Sequence, residues 1–254
     1  MKLAKIFSSV VLYKKKILPT KYDKAKLLFI EEQKKFYSNF ISKGNLCFDV
    51  GANMGFKTDI FLNLGAKVIA IEPQESCSII LKNKYKDLIL IENKGVGEKN
   101  EYKNFYISDN IELSSFKNDW ISKFTTDRFK GSEIKKTTLV EIITLDSLIA
   151  KYGTPKFIKI DVEGYEEEVL KGLTMPFNNL SFEYVAPERI DTIIKCLNIL
   201  KSRYINLLYN YAVYNENKLK LNSWLNIEEM ILEVMTTHFK HSFAGDIYVC
   251  NITH

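Results

Sequence analysis

The sequence predicts an α/β fold with a Rossmann-like, mostly parallel sheet, and three observations carry that reading. Leu46 to Val50 is an apolar run broken only by Asp49, which suits a strand buried on both faces of a parallel sheet. Gly51 and Gly55 bracket a turn into a helical stripe of Phe56, Ile60, Phe61 and Leu64, and Gly65 stops that helix. Lys67 to Ile71 is a second apolar run with Glu72 at its carboxyl end. Strand, glycine turn, helix, strand and terminal acid make the first half of a mononucleotide-binding fold.

The turn also narrows the ligand. A dinucleotide fingerprint started at Gly51 needs further glycines where the chain has Asn53 and Phe56. A pyrophosphate needs the bare backbone approach of that second glycine, so NAD and FAD are disfavoured. S-adenosylmethionine (SAM) carries adenosine without a pyrophosphate and fits better. Glu72 is placed for its ribose hydroxyls, Asp49 for its ammonium, and the turn amides for its carboxylate.

The remaining elements follow in order. Residues 1–45 lack strand character and form an expected N-terminal helical extension. Within it, Phe29, Phe36, Tyr37, Phe40 and Ile41 recur at helical spacing over Lys24 to Ile41, giving a helix packed on the core in position to lid the cofactor site. Cys77, Ile80, Leu81 and Tyr85 mark a helix, Leu88 to Ile91 a third strand, and Asn93 to Gly97 a turn. Tyr102 to Ile107 and Thr137 to Ile143 are β-prone segments flanking an insertion at about 108–136. That insertion carries Phe116, Trp120, Phe124 and Phe129 and is too long for a simple turn. Asp146 to Tyr152 is a short helix, Lys156 to Val162 a fourth strand ending near Asp161, and Glu166 to Leu173 a helix. Leu180 to Val185 is a fifth strand, Ile190 to Leu200 a helical stripe, and Ile205 to Val213 a sixth strand. Asn226 with Glu229 predicts a capping box on a helix through Met235, before a last strand at Asp246 to Asn251. Residues 46–254 are thus expected to be one domain.

Composition excludes several classes. Hydrophobic residues are 46% and charged residues 26%, an ordinary balance for a globular protein. The net charge of +5 comes from scattered lysines without a dense basic block, so nucleic acid is not favoured. Cys47, Cys77, Cys196 and Cys250 form no C-x-x-C pair, which argues against zinc and suits reduced thiols in a cytoplasmic protein. The apolar run Ile6 to Tyr13 is too short to span a membrane and lacks a signal cleavage site. A surface helix is expected there, with weak peripheral membrane contact as the alternative.

Three motifs now stand in order: D-V-G-A-N-M-G (Asp49 to Gly55), I-E-P (Ile71 to Pro73) and K-I-D-V-E-G-Y-E (Lys159 to Glu166). Together they resemble the FkbM family of SAM-dependent methyltransferases, over about Cys47 to Leu173. The resemblance implies a class I SAM-dependent methyltransferase fold: seven core strands in the order three-two-one-four-five-seven-six, the last antiparallel. It implies methyl transfer to a hydroxyl of a sugar, glycan or small natural product. The chain has D-V-E-G-Y after the fourth strand where nucleobase amino methylases carry D/N-P-P-Y/F.

The cofactor-binding candidates are Asp49, Gly51, Ala52, Asn53, Gly55, Thr58, Glu72, Pro73, Asn93 and Asp161. The catalytic candidates are Asp161, Glu163, Glu183 and His238. Asp161 ends a strand where ligands of open α/β sheets sit. Glu183 interrupts an apolar strand, where a carboxylate is unfavourable unless paired or facing a cleft. His238 and His241 precede the last strand and would reach the cleft if that strand is antiparallel. Glu167 and Glu168 read as a solvated helix start. Two nearby carboxylates invite a divalent cation, but no third ligand is evident and a metal is not favoured. A nucleotide-cofactor enzyme on a similar fold and a non-catalytic SAM-fold protein are the alternatives.

Overall fold

The computed structural model describes residues 21–118, 120, 132–214 and 216–252. The expected N-terminal run Ile6 to Tyr13, Phe124, Phe129 and His254 lie outside the described residues.

Seven strands form the main sheet: β1 (Leu46–Val50), β2 (Lys67–Ile71), β3 (Leu90–Glu92), β7 (Phe157–Ile160), β8 (Asn179–Val185), β9 (Leu207–Val213) and β10 (Ala244–Asn251). Their order is β3-β2-β1-β7-β8-β10-β9. The first five pair in parallel, and β10 is antiparallel to both neighbours. Counting main-sheet strands alone, this is the three-two-one-four-five-seven-six order of a class I SAM-dependent methyltransferase, antiparallel last strand included. The sheet is buried on both faces because successive side chains alternate between two cores. Phe48, Val50, Ile69, Ile71, Ile158 and Ile160 face one, and Cys47, Val68, Ala70 and Phe157 face the other.

Helix α1 (Lys21–Tyr37) closes the second core. Tyr37 meets Phe61 and Phe157 edge-on at 5.2 and 5.7 Å, while Phe40 stacks on Tyr248 at 5.2 Å. Its aromatic stripe therefore packs into the sheet layer rather than onto solvent. Helix α2 (Phe56–Asn63) follows β1, and α3 (Glu75–Tyr85) follows β2. The capping box at Asn226 and Glu229 forms as its spacing predicts. All four cysteines are free, and no helix among the described residues is long and apolar enough to cross a membrane.

The segment Asn93 to Gly97 is more than a turn. Gly95–Val96 forms a short strand, β4, that joins β5 (Glu101–Ser108) and β6 (Ile134–Ile143) in a second sheet ordered β4-β6-β5. Gly95 is needed there, since a Cβ would stand 2.4 Å from the Phe116 ring. The insertion's start folds back onto this sheet: Ser115 pairs with Tyr106, and Phe116 lies 4.7 Å from Phe105. This second sheet stands beside the carboxyl ends of β1 and β7, so insertion residues enter the main cavity.

Candidate active site

One large cavity, about 730 Å³, opens over the carboxyl ends of β1, β2, β7 and β8. That volume suits a small-molecule cofactor together with an acceptor. Its two ends are built from different residues.

The first end grows out of β1. Gly51 adopts φ 81°, and any Cβ there would stand 1.7 Å from the Asp161 carbonyl oxygen. Only glycine lets the turn lie against the end of β7. The Gly51 and Ala52 amides both donate to the Ile71 carbonyl, and Gly55 N–H donates to Ala52. Asn53, at φ 49°, turns its amide to Glu72 Oε2 at 2.7 Å. The Gln74 amide donates to Glu72 Oε1 at 2.7 Å. The Glu72 carboxylate is thus pinned on both oxygens, each with a lone pair left for a ribose hydroxyl. Burial pushes its pKa up to about 7, against the pull of the two amides. Asp49 is buried and accepts from Thr58 Oγ1 at 2.6 Å. Burial raises it to about 6, while Thr58 and Lys159 favour its charged form.

Asp49, Gly51, Ala52, Asn53, Glu72 and Pro73 line the cavity. Gly55, Thr58 and Asn93 do not. Gly55 is tucked under Tyr85, whose hydroxyl donates to the Gly55 carbonyl at 2.6 Å. Thr58 stands behind Asp49. Asn93 Nδ2 donates to the Glu72 and Pro73 carbonyls at 2.8 and 3.2 Å, steadying the chain after β2. The pinned Glu72, the buried Asp49 beside it and the depth of the cavity fit SAM.

The second end gathers distant residues. Asp161 and Glu163 follow β7, Glu183 lies in β8, and carboxylate oxygens of the three lie within 4.8 Å of one another. Glu183, a catalytic candidate from the sequence, supplies the third carboxylate beside Asp161 and Glu163 that the sequence had not placed there, and this spacing is one that a divalent cation accepts. A positive charge is already present. Lys159, 1% exposed, donates to Asp246 Oδ1 at 2.8 Å and to Asp161 Oδ2 at 3.1 Å. Burial pulls the Lys159 pKa down, but Asp161 and Asp246 outweigh it and hold it well above the usual lysine value. Asp246 sits opposite Glu183 in the β8–β10 ladder. Burial and the charges of Asp161, Glu163 and Glu166 push Glu183 well above the carboxylate range, and its Oε2 is buried without a hydrogen-bond partner among the described residues.

Trp120 shapes this end. It packs on Gly164, where a Cβ would stand 2.1 Å from the indole, and donates through Nε1 to Glu163 Oε2 at 3.2 Å. The Arg189 guanidinium lies over the same ring at 4.7 Å. Glu166 is structural, since its Oε1 accepts from the Val162 and Gly164 amides at 3.2 Å. Glu167 and Glu168 pair with Lys171.

The histidines are placed elsewhere. His238 is exposed in the short helix Thr237–Lys240, and His241 Nδ1 lies 2.7 Å from the Thr237 carbonyl oxygen. Neither lines the cavity: that helix stacks Phe239 on Tyr184 and turns His238 outward. Sequence reasoning missed Lys159, Asp246 and Lys57. The rule that singled out Glu183, a charge inside an apolar strand, applies equally to Lys159 in Phe157–Ile160. Asp246 and Lys57 carried no comparable signal.

The family model for the methyltransferase FkbM domain matches residues 49–192. No curated protein matches the sequence. Among solved structures, a TehB-like SAM-dependent methyltransferase from Corynebacterium glutamicum is 9% identical, covering 87% of this chain and 87% of its own, with a TM-score of 0.45. The plantazolicin methyltransferase BpumL, solved with S-adenosylhomocysteine, is 10% identical over 88% of this chain and 84% of its own, with a TM-score of 0.44. A precorrin-6y C5,15-methyltransferase from Geobacter metallireducens is 9% identical over 93% and 90%, with a TM-score of 0.41.

Proposed function

The chain belongs to the FkbM family of SAM-dependent methyltransferases, and on that premise we propose that it methylates a hydroxyl of a sugar, a glycan or a small natural product. The observation that carries this reading is the carboxylate cluster of Asp161, Glu163 and Glu183 at the end of the cavity away from Glu72. Carboxylates accept hydrogen bonds from hydroxyls, and several of them on one side of a pocket suit an acceptor with more than one hydroxyl. The Trp120 ring beside them offers a flat apolar face. The same cluster repels a phosphate backbone, which supports a small-molecule or glycan acceptor over nucleic acid. The four free thiols are consistent with a cytoplasmic setting.

Asp49, Gly51, Ala52, Asn53, Glu72 and Pro73 would hold SAM. When bound, SAM supplies a methyl group on an already reactive sulfonium, so the protein mainly has to align an acceptor. Asp161 accepts a hydrogen bond from Lys159 and is placed to take the hydroxyl proton as the acceptor oxygen gains the methyl group and SAM leaves as S-adenosylhomocysteine. Burial and its acidic neighbours favour the acid form of Glu183, which would orient the acceptor as a hydrogen-bond donor. Trp120 and Ser115 fix Glu163, Ser115 Oγ by donating to its carbonyl at 2.7 Å.

The test is transfer from methyl-labelled SAM to extracts of the producing cell, with the labelled product identified by mass spectrometry. The expected product is a methyl ether on a polyhydroxylated acceptor. Label on nitrogen, or recovered in RNA, would overturn the assignment.

A further inference from the structure

Three lysines line the cavity: Lys57, Lys94 and Lys159. Lys159 is neutralised by Asp161 and Asp246, and Lys94 pairs with Glu141 at 2.7 Å. Lys57 makes no salt bridge with any of the described residues. Its ammonium, half-buried on the first turn of α2, donates to Gln33 Oε1 at 2.6 Å. It also lies over the Tyr37 and Phe56 rings, 5.0 and 5.5 Å from their centroids. Gln33 is itself buried, and its amide donates to Asn217, which in turn donates to Glu32 at 3.0 Å. A flexible side chain is thus held in one place by α1 and by the segment after β9. It stands beside the Asp49 end of the cavity.

Four of the turn's amides are already committed inside the protein. The amides of Gly51, Ala52, Asn53 and Gly55 are all bonded within the protein, to Ile71, to Glu72 and to Ala52. They are not free to receive the carboxylate of an amino-acid ligand. Beside them, Asp49 presents a negative charge and Lys57 a positive one, and the Lys57 charge acts on the Asp49 carboxylate. An ammonium and a carboxylate on one carbon need such a pair.

We propose that Lys57, held by Gln33, receives the α-carboxylate of SAM, with Asp49 facing the ammonium, so that α1 forms one wall of the cofactor's amino-acid subsite. The proposal rests on the SAM reading and assigns the part of that ligand which those four bonded amides do not meet.

Calorimetry with SAM and with decarboxylated SAM tests it, on the wild-type chain, Lys57→Met and Lys57→Arg. Decarboxylated SAM keeps the adenosine, the sulfonium and the ammonium but lacks the carboxylate. The wild-type chain should prefer SAM by about tenfold, the worth of a charge-assisted hydrogen bond. Lys57→Met should lose that preference, weakening SAM by about tenfold while leaving decarboxylated SAM within about twofold. Lys57→Arg should retain it. Because both ligands are titrated into the same preparation, a general loss of structure lowers both affinities together. Equal weakening of both ligands in Lys57→Met, or no change in either, overturns the Lys57 assignment while wild-type binding stands. A wild-type chain that binds neither ligand overturns the SAM premise instead.

Discussion

At the Glu72 end of the cavity, Asp49, the glycine turn, Glu72 and Pro73 all come from one short stretch of chain. Each carboxylate is pinned by neutral donors: Glu72 by two backbone amides, Asp49 by the Thr58 hydroxyl. At the Asp161 end, the side chains come from the segment after β7, from β8, from β10 and from the insertion. There the carboxylates crowd one another, and the buried Lys159 balances them. The first end is a local structure that a strand, a turn and a helix make almost by themselves. The second exists only once the sheet's long-range register is set. A pinned, preorganised carboxylate suits binding, while a crowded cluster in which burial and acidic neighbours push Glu183 up suits proton transfer.

Predictions follow from separating the two ends. The largest effect is expected at Asp161. Asp161→Asn keeps the shape and removes the charge, so turnover should fall by roughly 10²–10⁴-fold if Asp161 takes the proton. Single-turnover transfer from labelled SAM measures it. A variant that melts at a lower temperature but turns over normally when folded would make Asp161 structural. Next comes Glu72→Ala, which leaves the Asn53 and Gln74 amides without their acceptor and removes a ribose partner. SAM affinity should weaken by roughly 1–3 kcal/mol, read by calorimetry, and an unchanged Kd would take Glu72 out of the cofactor site.

Trp120→Ala should act on the acceptor side alone. It releases Glu163 and removes the ring that packs on Gly164, so acceptor KM should rise up to about tenfold, the upper end of an aromatic contact. Loss of SAM affinity with acceptor KM intact would reverse the assignment of the two ends.

The smallest effect concerns pH. Asp49 and Glu72 rise from 3.8 and 4.5 to about 6 and about 7 on folding, chiefly through burial. At these two groups the folded chain therefore binds more protons than the unfolded one in this range. Their contribution to ligand-free stability should fall as pH rises from about 4 to about 7. An ammonium beside Asp49 favours its charged form, so SAM should bind more tightly at pH 7 than at pH 5.5. Denaturant unfolding of the ligand-free protein at several pH values checks the first statement. Stability rising steadily over that window would mean that these carboxylates are not buried as described.

How much of this was legible in the sequence follows the same division. The stretch from Asp49 to Pro73 could be read because its roles sit at fixed short spacings: the glycine at the turn, the acid at the next strand end. The capping box at Asn226 followed in the same way, whereas the strand order was what the family resemblance implied. The adjacency of Glu183 and Asp246 could not be read, because it depends on the register in which the last strand pairs with β8. Lys159 was legible in principle, as a charge within a buried strand, yet its partners lie on another strand and after its own. His238 failed for the opposite reason. Its position before an antiparallel strand was read correctly, but the short helix at Thr237–Lys240 spends its inward position on Phe239. The second sheet was half legible: its long strands showed their β-prone residues, while the two-residue β4 was hidden in a glycine-bearing turn.

The most direct test of the division crosses its two ends in one experiment. SAM Kd and single-turnover rate are measured side by side for Glu72→Ala and Asp161→Asn. The division predicts a crossed pattern. Glu72→Ala should weaken SAM while its rate at saturating SAM stays within about threefold, as expected for binding energy shared equally by ground and transition states. Asp161→Asn should bind SAM as the unaltered chain does and transfer the methyl group roughly 10²–10⁴-fold more slowly. If both variants lose affinity and rate in parallel, the two ends are one unit and the division of labour between them is wrong.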